Sequence, residues 1–320
     1  MGDLENLLGQ DKAVAFLRSC IENQSLSHAY LFYGPAGVGK MAAALAFATE
    51  ILEKEDPGGR VLLSALAHPD LFLIERITDK TRLGKEQVGK PMQSWLGLKP
   101  YRARHRVVII RDAHLLTPEA GNALLKTLEE PPEYAILILV SDEGLVMETI
   151  ASRCQPVRFQ ALSEEDIIAI LSAQGAEPER AGALARLSQG SVAAALEFAH
   201  ESGLNEKWEK ARYYVTRIAA GDMGGLFEAA EAVEKAPHLL SHMLSTILRD
   251  VYVYKSTKNA SLLMDMQHRE VAETLPEASL ERLAAALNHM QDLHKQLRYN
   301  VNPLTVGINM AYAVRGVFWD

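Results

Sequence analysis

The chain has 320 residues, more than one ordinary hydrophobic core holds, so two or three domains are expected. With 48% hydrophobic and 23% charged residues it reads as soluble and globular, and no apolar run approaches the roughly 20 residues of a membrane span. A net charge of −8 argues against a surface that binds nucleic acid throughout. Cys20 and Cys154 alone cannot build a disulfide framework or a cysteine-rich zinc site. The acidic opening MGDLENLLGQ lacks the basic start of a secretion signal, so a cytoplasmic location is expected.

In chain order, Leu7 to Gln10 leads into a helix over Asp11–Asn23, with Ala13, Phe16, Leu17, Cys20 and Ile21 on one face at helical spacing. A short apolar strand, Tyr30 to Tyr33, then stops at Gly34. Pro35-Ala36-Gly37-Val38-Gly39, Lys40 and an alanine-rich helix from Met41 to Leu52 follow. Gly34, Gly37, Gly39 and Lys40 make the G-x-x-x-x-G-K phosphate-loop spacing between a strand and a helix. Glycines let backbone N–H groups turn inward toward phosphates, and the helix adds its positive N-terminal end. Lys40 would reach the β and γ phosphates. The Ser or Thr that should hold Mg²⁺ next is Met41, whose thioether is a poor ligand for that hard ion.

Residues 53–60, EKEDPGGR, form a charged break. Leu71 to Ile77 reads as a strand, Lys85 to Leu98 as a helix, and Lys99 to Arg106 as a basic loop. Lys99, Arg102, Arg104 and Arg106 there either meet DNA phosphates or form a solvated face. Val107 to Ile110 is a fully apolar run, as in a central parallel strand. It ends Arg111-Asp112-Ala113-His114, so a cation stands where a metal-binding carboxylate is expected. Asp112 either serves the nucleotide site or caps a turn.

Thr117 and Pro118 mark a helix start, running through Glu119–Glu130 to Pro131-Pro132. Ala135 to Val140 is another buried strand. The alternation implies an α/β layered sandwich. From Ser163 strands vanish: an acidic helix start at 163–166, alanine-rich helices to about His200, a hinge at Glu201–Glu206, then helices over Trp208–Trp319 broken at Pro237, Pro276 and Pro303. Leu239, Leu240, Met243, Leu244, Ile247 and Leu248 form an apolar stripe, for other subunits or for a bundle core.

Taken together, the phosphate loop, Asp112-Ala113-His114, the NALLKTLEEPP stretch (122–132) and Ser152-Arg153-Cys154 stand in the order seen in clamp-loader ATPases. His68-Pro69-Asp70, Leu98-Lys99-Pro100-Tyr101 and Asn300-Val301-Asn302-Pro303 extend the match along essentially the whole chain. The chain resembles the delta-prime subunits of bacterial DNA polymerase III clamp loaders, of the AAA+ type. That resemblance implies a P-loop (AAA+, RecA-like) parallel-sheet domain over 1–160, a helical lid over 161–204 and a helical collar over 205–320. It implies a five-subunit ring with motor (tau/gamma) and delta subunits, acting in the polymerase holoenzyme to place a sliding clamp on primed DNA.

By the same resemblance Arg153, with Ser152 and Cys154, is an arginine finger reaching a neighbour's ATP in trans; the plainer alternative is an arginine paired with a local acid. A guanidinium is a planar, permanently charged donor suited to γ-phosphate oxygens. The departures all run one way. Met41 and Arg111 remove metal ligation, and Ala193 and Ala194 stand where the lid's nucleotide-facing arginine belongs. Residues 50–67 carry none of the four cysteines of the family's zinc module. The expectation is a stator that needs no cofactor, holds no zinc, binds ATP or ADP without turnover if at all, and has no ATPase activity alone. An active motor-type subunit is the alternative. A generic P-loop kinase would need neither SRC nor the helical C-terminal third.

Overall fold

The computed structural model describes residues 3–77, 80–142, 146–297 and 301–319. The chain divides into two compact units, Met1–Gln174 with Gly190–Ala193, and Gly175–Gln189 with Ala194–Asp320.

The first unit is built on a parallel five-stranded sheet of order β2-β3-β4-β1-β5. Its strands are β1 (Ala29–Gly34), β2 (Leu71–Ile74), β3 (Arg106–Ile110), β4 (Ala135–Asp142) and β5 (Gln155–Arg158). β3 is buried at every position, as a parallel strand covered on both faces must be. Helices α1 (Asp11–Glu22), α2 (Lys40–Glu55), α3 (Arg60–Ser64), α4 (Lys85–Val88), α5 (Lys90–Leu96), α6 (Pro118–Glu129), α7 (Glu148–Ala151) and α8 (Glu164–Ala173) complete the unit. On one face Val88, Met92, Leu96, Leu124 and Leu128 join Val108, Ile110, Leu137 and Leu139 in a single apolar core. Elsewhere Phe32 packs between Phe47 and Phe159.

Thr117 caps α6 by accepting from the Ala120 N–H, with Pro118 at the first helical position, as read from the sequence. Three expectations are corrected. Lys85–Leu98 is two helices, because Gly89 turns out of helical geometry (ψ −109°) and Pro91 brings no N–H to the second. β2 stops at Ile74 rather than Ile77. Arg106 belongs to β3, not to a basic loop: it is buried, its guanidinium lies 4.3 Å over the Trp95 ring and it sits 3.4 Å from Asp70.

That Asp70 is fully buried and closes the preceding loop. Its carboxylate accepts from the N–H groups of Tyr101 (2.7 Å), Arg102 (2.7 Å) and Ala103 (3.0 Å). Asp56 adds an ion pair to Arg102 at 2.7 Å and a 3.3 Å bond to His68 Nε2. The Asp70 N–H donates to His68 Nδ1, so Nε2 carries the proton given to Asp56. Glu55 accepts from the N–H groups of Arg104 and His105. The HPD and LKPY stretches are therefore two halves of one clasp.

The second unit is helical: α9 (Pro178–Ser188), then from α10 (Val192–Ala199) onward α11 (Leu204–Ala219), α12 (Met223–Lys235), α13 (Pro237–Thr257), α14 (His268–Thr274), α15 (Leu280–Gln296) and α16 (Pro303–Phe318). α12 packs on α16, and α15 on α13 and α16. Pro237 and Pro303 start helices, and Asn302 caps α16 by accepting from the Leu304 N–H; Asn300 lies outside the described residues. The hinge is shorter than expected, because α11 begins at Leu204 after Gly203, which adopts left-handed geometry (φ 65°). The stripe from Leu239 to Leu248 is buried within this unit, so it is bundle core rather than a docking surface.

Asp250 repeats the Asp70 device. It is fully buried and accepts from His268 Nδ1 (2.8 Å) and the N–H groups of Met264 and Asp265. Burial pushes its carboxyl up, but His268, Arg249 and those N–H groups outweigh it and hold the group below its ordinary value. Its stabilising contribution is therefore complete above the unfolded value, about 3.9, and is lost as pH falls through the lower folded value. Asp250→Ala should lower the stability of this unit by about 3–5 kcal/mol at neutral pH. Asp250→Asn should flatten the acid loss below about pH 4. Helical circular dichroism during urea unfolding at pH 7 and pH 3 measures both.

Candidate functional site

The glycine loop lies at the C-terminal edge of the sheet, where ligands of open α/β sheets bind. Three of its glycines have positive φ: Gly34 (144°), Gly37 (73°) and Gly39 (93°). A Cβ on Gly34 would overlap the Phe159 carbonyl, and one on Gly37 would overlap Ser191 Oγ. A Cβ on Gly39 would meet nothing within 4 Å, so the position itself is not closed by packing.

Two contacts fasten the loop from outside. Gln10 is buried and donates from Nε2 to the Val38 carbonyl (3.2 Å) and the Gln160 carbonyl (2.8 Å), while its Oε1 accepts from the Gln160 N–H. The Ala193 N–H donates to the Gly37 carbonyl at 3.0 Å, so residues 190–193 do lie against the phosphate loop.

Lys40 is 4% exposed. Its ammonium donates to the Gly34 carbonyl at 2.8 Å and to the Pro35 carbonyl, and lies 2.8 Å from Asp142 Oδ1. Asp142 ends β4, where the parallel register sets it beside Gly34. Its N–H donates to His114 Nδ1 at 3.2 Å. Sequence reading passed over Asp142 and Gln10. The signal for Asp142 was a carboxylate at the end of a buried strand; Gln10 had none beyond a polar residue opening a helix.

Arg111 is paired with Glu75. Its Nη1 lies 2.8 Å from Glu75 Oε1, and that hydrogen bond, against burial, raises its already high pKa. Asp112 takes left-handed geometry (φ 56°) before a short 3-10 turn, and its side chain makes no capping bond there. The arrangement does not suit a nucleotide-bound Mg²⁺. Met41 offers no hydroxyl, Arg111 is a cation, and Lys40 already faces a carboxylate.

Arg153 follows the short α7 on the surface. Its Nη2 lies 3.0 Å from Glu129 Oε1, its Nη1 donates to the Thr149 carbonyl at 2.9 Å, and Ser152 Oγ donates to that carbonyl at 3.2 Å. Glu129 belongs to the NALLKTLEEPP stretch, so the two signature motifs touch. With Arg153 side chain 37% exposed and Glu129 51%, the pair is worth about 0–1 kcal/mol and is easily given up. Cys154 is buried, which pushes its thiol up to about 12. It anchors the turn and has no thiolate to offer. Among the described residues no group of His, Cys, Asp and Glu is arranged to hold a metal ion, and no helix is long and apolar enough to cross a membrane.

Both cysteines are buried. At pH 8 a chromogenic disulfide reagent should modify them in the native chain at less than about one hundredth of the rate seen in urea. Rapid native labelling of Cys154 would contradict the packing.

A family model described as "DNA polymerase III, delta subunit" matches residues 9–163, and one for the C-terminal part of a DNA polymerase III delta subunit matches 205–305. The delta' subunit of Bacillus subtilis (strain 168) is 31% identical over 219 residues, covering 65% of this chain and 64% of that protein. The tau subunit of the same organism is 26% identical over 335 residues, covering 93% of this chain and 59% of that protein. The chain thus spans less than two thirds of either relative's length. A gamma subunit-related protein of Thermotoga maritima has 17% identity and a TM-score of 0.49, covering 94% of this chain and 99% of that one. The chain belongs to the DNA polymerase III clamp-loader family, with a five-stranded parallel sheet bearing the glycine loop and a helical C-terminal region, and within that family it is of the delta-prime type.

Proposed function

We propose that the protein is a stator of the clamp loader: it does not turn over ATP itself, supplies Arg153 to the ATP site of a neighbouring subunit, and helps load the sliding clamp on primed DNA. Its partners in this reading are motor and delta subunits in a five-subunit ring, the clamp and primed-template DNA, in the cytoplasm. The three-part division into sheet domain, lid and collar belongs to the same reading.

The observation that carries it is a contrast within one chain. The chain's own loop lacks metal ligation, while Arg153 is presented at the surface on a turn fixed by Ile150 and Cys154, both buried. Among the described residues its side-chain anion partner is a weak exposed one, Glu129. Exchanging that carboxylate for a neighbour's γ-phosphate costs little, whereas a finger contributes roughly 10³–10⁵ in rate at its site. A second reading, an active motor-type subunit, draws on the intact glycine loop and on the likeness to tau along 93% of the chain. It would need Mg²⁺ held without Met41 or Arg111. No zinc or other cofactor is required by the stator reading.

The test is steady-state ATP hydrolysis by the chain mixed with motor subunits, clamp and primed DNA. Arg153→Ala should lower the stimulated rate in part, since other sites in the ring keep working, and Arg153→Lys should not restore it. Unchanged hydrolysis by Arg153→Ala in an intact assembly would remove the finger.

A further inference from the structure

An ammonium group has three protons to donate. On Lys40 the Gly34 carbonyl, the Pro35 carbonyl and Asp142 Oδ1 stand ready for three. A phosphate reaching this lysine must therefore displace a partner already in place. Two of those partners are backbone of the loop and move only if the loop moves. The third is a carboxylate.

We propose that Asp142 is an internal phosphate substitute, holding Lys40 in the place of a nucleotide's β or γ phosphate and keeping the glycine loop closed to nucleoside phosphates. The inference rests on the stator reading and gives it a cause beyond lost metal ligation.

Three observations carry it. First, the pairing is built into the sheet. Parallel register puts Asp142 beside Gly34, and His114 Nδ1 holds the Asp142 N–H. Second, the loop keeps the shape of a cradle. Gly37 and Gly39 retain positive φ, and the space off Gly39 is open to 4 Å. Third, the pair is shielded: the Lys40 side chain is 4% exposed and that of Asp142 26%. In such surroundings a phosphate brought up to Lys40 is repelled by the carboxylate more strongly than in water. Met41 and Arg111 act on the metal, whereas Asp142 acts on the phosphate. The two losses are independent, so restoring one does not restore the other.

The experiment titrates the full-length chain with fluorescent methylanthraniloyl ADP and ATP at constant ionic strength, with and without Mg²⁺. Asp142→Asn keeps the shape and removes the charge. It should bind both nucleotides at least about tenfold more tightly than wild type, with little dependence on Mg²⁺. Lys40→Met combined with Asp142→Asn should lose the gain. Asp142→Ser, read alongside thermal unfolding midpoints, should show the same gain and covers the case in which the asparagine variant folds poorly. If neither well-folded variant binds more tightly than wild type, the substitute role is overturned. Weaker binding by both would make Asp142 a nucleotide-site ligand instead, which overturns it equally. Neither result touches Arg153, whose effect is read in the assembled loader.

Discussion

The parallel register of β1 against β4 is the constraint from which the site follows. Both strands are largely apolar and buried on both faces, so a slip in pairing would misfit the side chains packed against each face. With the register set, Gly34 and Asp142 end side by side, and β3 ends beside β4 at Ile110, just before Arg111 and Asp112. The phosphate-loop residues and their partners then fall at one edge of one sheet. The glycine loop, Lys40 and Asp142 meet there because the strands are in step, not because the residues are near in sequence.

The two units share a second device, a fully buried aspartate that gathers the N–H groups of a loop. Asp70 does so for residues 101–103 and Asp250 for 264–265, each with a histidine nearby. A buried carboxylate is costly alone and stable when saturated with donors, so it specifies one loop conformation and no other. The exposed Leu98 and Tyr101, the latter 80% exposed, are carried on a loop that this clasp holds.

Much of the fold was legible because local signals agreed. The apolar runs at 107–110 and 135–140 are strands, Thr117-Pro118 starts a helix, and Pro237 and Pro303 mark helix starts. Misreadings came where tertiary contacts overrode composition. Arg106 looked like one of four loop cations, yet Trp95 and Asp70 draw it into β3. The 239–248 stripe, which its spacing left open between a partner surface and a bundle core, is the core. The site was legible as a motif but not as a charge balance. Spacing reveals Gly34, Gly37, Gly39 and Lys40. It does not reveal that Asp142, about a hundred residues away, faces that lysine, because only the sheet order brings them together.

The proposed stator presents Arg153 outward and turns over no ATP at its own phosphate loop. Steady-state ATP hydrolysis by the isolated chain at saturating Mg²⁺ tests this most directly. The account predicts a rate indistinguishable from buffer. Robust turnover, abolished by Lys40→Ala, would contradict it and make the protein a motor with another way of holding its metal.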